Sequence, residues 1–170
     1  MTIARSAILA AAFALAIAPA LAQQKQKISF KVDAADAKYT QRLQIDVGDQ
    51  PGHVVGTFEI HRNFGANAPA INGVKFKESF TRGYNDYLDN NGLSVNYTVY
   101  VMENGDKFYT HSNTIGEATA GKRATVSIGR ILGGTGKLAG MKGMLRAKGA
   151  SEGAKGYNQT ESEIEYWFDK

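Results

Sequence analysis

From Ile28 onward the chain is a succession of short alternating runs cut by glycine and asparagine, and no stretch carries apolar residues at convincing helical spacing. Nine runs read as strands: 28–32, 39–47, 54–64, 74–84, 93–102, 107–115, 124–132, 141–148 and 157–168. Short strands linked by turns, with no crossover helices, specify an antiparallel barrel or sandwich. Closing the sheet removes edges that would otherwise template aggregation. The expected fold is therefore all-β, a closed eight-stranded antiparallel β-barrel.

The first 22 residues stand apart from this pattern. Arg5 gives a short positive head, Ala7 to Ala18 is apolar, and Ala20-Leu21-Ala22 is an A-x-A cleavage signal before Gln23. The apolar run is too short to cross a hydrocarbon core, which takes about 20 residues. Residues 1–22 are thus expected to be a signal peptide and residues 23–170 a single exported domain, placed in the periplasm, with no membrane insertion after cleavage. Without Arg5, the basic residues exceed the 16 acids by only three, which gives no electrostatic reason to invoke nucleic acid. There is no cysteine. An exported domain without disulfides relies on its own core, and thiol nucleophiles and zinc–thiolate sites are excluded.

The clearest turn is Glu103-Asn104-Gly105-Asp106, where Asn-Gly between alternating runs favours a two-residue type I′ turn. That register pairs Val101 with Phe108 and Tyr97 with Ser112. The odd positions from Leu93 to Val101 are uniformly apolar and are expected to face inward, with Tyr97, Thr110, Ser112 and Thr114 adding hydroxyls to the interior. Alternation sends Tyr109 and His111 outward. In the 74–84 run, Glu78 and Arg82 share a face with Val74, Phe76, Phe80 and Tyr84, and the 54–64 run places Arg62 beside Phe58 and Phe64. An interior reading requires a partner or a wet cavity for each charge, because an unpaired buried ion costs several kcal/mol. Packing the two strands antiparallel would bring Arg62 near Glu78. At the carboxyl end, Glu161, Glu163 and Glu165 are expected to lie across from Lys142, Arg146 and Lys148 as a solvated ladder.

Between Val126 and Ala147 the chain reads VSIGRILGGTGKLAGMKGMLRA. Glycines 133, 134, 136, 140 and 143 suit a strand that ends in a tight corner, with Leu138 beneath it as a plug. A dinucleotide-binding turn would need a following helix, and a phosphate loop would need glycine at Ile131 and a hydroxyl at Leu138. The segment resembles the corner of the allene oxide cyclase and dirigent barrel superfamily, with Leu138 in place of the usual aromatic. The resemblance covers some 20 residues. It implies an eight-stranded barrel with a mostly apolar cavity, a homo-oligomer (a trimer), and, in the plant enzymes, cyclisation or coupling of reactive small molecules. No catalytic residue of those enzymes matches a position here.

The residues themselves suggest a small, largely apolar ligand held inside the barrel. Arg62 or Arg82 would meet an acidic group, Tyr97, Thr110 and Ser112 would orient the molecule, and Phe76 and Phe80 would supply contact area. The alternative is a cyclase- or isomerase-type enzyme with Glu78 as acid–base group, its carboxyl raised by desolvation among phenylalanines. A third reading makes Glu78, Arg62 and Arg82 a structural ion-pair network. No nucleophile elbow occurs. His53, His61 and His111 lie on separate runs without metal-ligand spacing, so neither metal nor cofactor is expected.

Overall fold

All nine runs become strands, and their antiparallel ladders join them edge to edge in one sheet. The computed structural model describes residues 24–152 and 157–169, so the leader assigned to residues 1–22 lies outside the described residues. In chain order the strands are β1 (Gln26–Val32), β2 (Ala37–Asp46), β3 (His53–Asn63), the two-residue β4 (Ala70–Ile71), β5 (Val74–Leu88), β6 (Asn91–Met102), β7 (Lys107–Thr119), β8 (Lys122–Gly134), β9 (Met141–Glu152) and β10 (Tyr157–Phe168). Among the described residues, helical geometry is confined to 3-10 turns at Ala34–Asp36 and Gly136–Leu138. The hydrogen-bonded order is β1-β10-β9-β8-β7-β6-β5-β3-β2, with β4 on the flank of β5. No ladder joins the terminal strands β1 and β2, which the chain connects through the first 3-10 turn.

One end of the sheet's concave side is packed solid. Phe76, Met102, Phe108, Leu138, Met141 and Ile164 are all but inaccessible and form one cluster. Burying each such side chain is worth about 1.5–3 kcal/mol. Phe30 of β1 meets Phe76 of β5 edge-on at 5.4 Å and Tyr100 of β6 at 6.4 Å, and Tyr100 stacks on Phe108 at 4.4 Å. Strands distant in the ladder thus touch through their side chains, which requires the sheet to curl around this cluster.

The glycine corner closes that end. The Thr135 amide donates to the Lys107 carbonyl at 2.8 Å, and the Thr135 Oγ1 accepts from the Lys107 amide at 2.9 Å. Gly136 sits at φ +52 against the Asp106 carboxylate, where a Cβ would collide. Asp106 accepts the Lys137 amide at 3.0 Å. The corner is fastened to the β6–β7 turn, and Leu138 fills the space beneath, 1% exposed.

Two local irregularities invert part of the expected interior. The β6–β7 turn has three residues: the Met102 amide donates to Asp106 O at 2.8 Å and the Gly105 amide to Met102 O at 3.0 Å. Only Gly105 of this loop has positive φ, at +85, as a type I turn closed by a glycine bulge requires. The register therefore pairs Tyr100 with Phe108, Thr98 with Thr110, Asn96 with Ser112 and Ser94 with Thr114. One residue of slip exchanges the faces of a strand. The even positions Ser94 to Met102 are buried, whereas Leu93 and Tyr97 are 58% and 52% exposed. On β5 the ladder shifts between Phe76 and Glu78. This bulge leaves Phe76 inside and then brings Ser79, Thr81 and Asn85 inward, turning Glu78, Phe80, Arg82 and Tyr84 out.

Candidate functional site

Beyond the aromatic plug the concave side turns polar. β5, β6, β7 and β8 send Ser79, Thr81, Ser94, Asn96, Thr98, Ser112, Thr114 and Ser127 into a cavity of about 110 Å³. Each is an inward position of its strand, on β5 by way of the bulge after Phe76, so alternation carries it inside regardless of polarity. Neighbouring side chains pair across strands: Thr81 with Thr98 at 2.9 Å, Asn96 with Thr114 at 2.8 Å, and Thr114 with Ser127 at 2.7 Å. The facing wall is mixed, with Phe30, Val32, Phe58 and Phe64 set among Asn158, Thr160 and Ser162 of β10. At the open end lies a vestibule of about 250 Å³ that includes Arg42, Tyr87 and Arg123.

Arg62 reaches this cavity from β3. Its Nη1 donates to Thr81 Oγ1 at 3.0 Å and its Nη2 to Asn158 Oδ1 at 2.9 Å, while its Nε is buried without a partner. Asn158 in turn donates to the Tyr39 hydroxyl at 3.4 Å, linking β10 with β2 and β3. Neither cavity nor vestibule is lined by an aspartate, a glutamate or a histidine among the described residues. Burial pulls the guanidinium below its ordinary value. Burial also pushes the nearby Tyr100 hydroxyl up to about 12, an effect that the Arg62 charge partly offsets. A cation enclosed among neutral acceptors lacks the counter-ion that buried charges ordinarily have. Arg123, over the Tyr87 ring at 4.0 Å with its Nη2 on Gly92 O at 3.1 Å, is a second cation of this kind, its Nε again unpartnered.

The residues singled out from sequence divide into three groups. Arg62 and Ser112 line the cavity. Phe76 and Thr110 face inward but are packed out of reach, at 0% and 1% exposure. Glu78, Phe80, Arg82 and Tyr97 lie on the convex face, because of the bulge on β5 and the three-residue turn after β6. There Glu78 Oε2 meets His61 Nε2 at 2.8 Å, Phe80 stacks on His61 at 4.6 Å, and Arg82 pairs with Glu59 at 2.7 Å. Arg62 lies opposite Ser79 in the ladder, so the expected Arg62–Glu78 pairing does not form. The residues that sequence reasoning missed are Arg123, Asn158 and the Ser94-Asn96-Thr98 row. The row had a signal: it alternates as strictly as its apolar counterpart, and only the choice of inner face was mistaken.

The charged ladder behaves as a solvated strip. Glu161 and Glu163 oppose Lys148 and Arg146, with Lys27 on Glu163 at 2.6 Å and Lys25 on Glu165 at 2.9 Å. Lys142 instead lies opposite Trp167 and pairs with Asp169. No group of three His, Cys, Asp or Glu side chains among the described residues is arranged to hold a metal. No protein-family model and no curated relative matches the chain.

Proposed function

We propose that this chain is an exported, periplasmic binding protein that takes a small acidic molecule into a closed barrel, with Arg62 as its anchor. The observation carrying this reading is the Arg62 guanidinium, enclosed and, among the described residues, bonded only to Thr81 and Asn158 in a cavity without acidic lining. A carboxylate would supply the missing charge through charge-assisted hydrogen bonds, and Phe30, Phe58 and Phe64 would supply apolar contact. The barrel is eight-staved if β1 and β2 count as one stave broken by the 3-10 turn, β1 pairing with β10 and β2 with β3. The Arg62–Asn158–Tyr39 bonds across that seam support closure, as does the resemblance of the 133–143 corner to the allene oxide cyclase and dirigent barrels. The cyclase alternative has less support, since its acid–base candidate Glu78 lies outside the cavity.

Native mass spectrometry of the protein purified from the periplasm tests this. An adduct of a small acid on the wild type, absent from Arg62→Met, is the expected result. An adduct retained by the variant, or a co-purifying molecule with no acidic group, would overturn it.

A second reading concerns assembly. The convex face of β2, β3 and β5–β8 exposes Leu43, Ile45, Tyr84, Leu93, Ile115, Val126 and Ile128, whereas the convex face of β9, β10 and β1 carries the charged ladder. An apolar patch confined to one side suits a protein partner rather than lipid, which would surround the barrel. We assign it to self-association, a trimer being what the resemblance implies.

A further inference from the structure

We infer that the acid held at Arg62 is a hydroxylated one, a small sugar acid, rather than the largely apolar molecule that a barrel of this type suggests. The inference rests on the proposed function and adds the chemical class of the ligand. Its basis is the two-sided character of the cavity. One wall carries an aliphatic and aromatic surface, Phe30, Val32, Phe58 and Phe64, interleaved with Asn158, Thr160 and Ser162 of β10, while the opposite wall is a field of hydroxyls and one amide from four adjacent strands. An alkyl or aryl acid would satisfy the first wall and strip water from the second without replacing its hydrogen bonds, which costs affinity for each group left unmet. A sugar ring matches both walls, presenting C–H faces to the aromatic side and hydroxyls to the serine and threonine side.

The pairing pattern leaves groups free for such a ligand. Thr81, Thr98, Asn96, Thr114 and Ser127 bond one another, but Ser94 and Ser112 line the cavity outside those bonds. The buried atoms without partners around the cavity and its vestibule include Arg62 Nε, Arg123 Nε and Asn85 Nδ2, all of them donors. Size agrees as well. The inner cavity of about 110 Å³ suits a carboxylate and the carbons next to it, and the vestibule of about 250 Å³, which shares Tyr39, Phe58, Tyr87 and Arg123 with it, accommodates a ring. Arg42 and Arg123 make that entrance basic, which favours entry of anions.

Calorimetric titration of the mature protein with D-glucuronate, hexanoate and D-glucose separates this inference from its premise. The expected order is glucuronate at least tenfold tighter than hexanoate, with glucose weakest. Ser112→Ala should lower glucuronate affinity several-fold while leaving hexanoate unchanged and the thermal melt intact. If hexanoate binds as tightly as glucuronate, or Ser112→Ala weakens both acids equally, the sugar-acid class is overturned and the acidic anchor stands. If glucose binds as well as glucuronate, or neither acid binds, the anchor falls and the inference with it.

Discussion

Arg62 sits where a stability-optimised core would hold a methionine. Its charge is desolvated, its hydrogen-bond partners are neutral, and no carboxylate among the described residues reaches it. Replacing such a group by an apolar side chain of similar length removes a desolvation cost and is often stabilising by about 1–4 kcal/mol. Urea denaturation of ligand-free Arg62→Met should therefore give a higher unfolding free energy than wild type; a loss of 2 kcal/mol or more would show the guanidinium to be a structural tie. His53 poses a different electrostatic case. Its hydrogen bonds to the carboxylates of Asp86 and Asp49 raise its value above the ordinary 6.5. A raised histidine stabilises the fold when protonated, so the contribution is complete below the unfolded value and vanishes as pH rises through the folded one. Hydrogen-exchange protection at the Val47 amide, which donates to His53 O at 3.0 Å, should fall as the solution passes from pH 6 into the alkaline range. A flat profile matching that of His53→Ala would refute the tie.

At the scale of the strand, alternation was legible throughout, and its direction was legible on β3 and β7 but not on β5 and β6. Every run from Ile28 to Phe168 was visible because period-two patterning and turn residues are local. The choice of inner face depended on counting residues through a turn and past a bulge, and both depend on tertiary packing. Asn104-Gly105 allows either a two-residue turn or a three-residue loop. The glycine corner selects the latter: Asp106, which accepts the Met102 amide through its carbonyl, also accepts the Lys137 amide through its side chain. Once Tyr100 and Met102 enter the plug, Thr98, Asn96 and Ser94 must follow them in, and the apolar odd positions are left outside. Gly136→Ala should expose this coupling. It combines a positive φ with a clash at Asp106 and should cost about 1–3 kcal/mol. Amide shifts across 103–107 should accompany that loss, and shifts confined to residues 134–138 would separate the corner from the turn.

Across the whole molecule, an apolar row crosses one end of the convex face of β2 to β8, beyond the Glu59–Arg82 and His61–Glu78 pairs of β3 and β5. Ile45 faces Val55, Asp86 lies between Val55 and Leu93, and Leu93, Ile115 and Val126 continue the row to β8. Six strands at about 4.8 Å spacing make this row about 24 Å wide, a dimension suited to one side of a standard protein interface. Light scattering of the purified mature chain should report an oligomer that Leu93→Asp with Ile115→Asp converts to a folded monomer; a monomeric wild type would refute self-association. Of this row the sequence reading assigned Leu93 to the core, since apolar alternation marks any buried face, whether covered by its own chain or by another copy. The β7 hydroxyls of the interior, Thr110, Ser112 and Thr114, were legible, whereas Ser94, Thr98, Ser79 and Thr81 were hidden for the complementary reason: serine and threonine on a strand read as solvent-facing until the sheet is seen to curl around them. The proposed ligand binding is tested most directly at one side chain. The ¹⁵Nε–Hε signal of Arg62, assigned by its loss in Arg62→Met, can be followed while D-glucuronate or acetate is added to the mature protein. A saturable shift of this signal, with surface arginines such as Arg146 unmoved, is the predicted result. An Arg62 signal that does not move at any concentration of either acid would contradict the account.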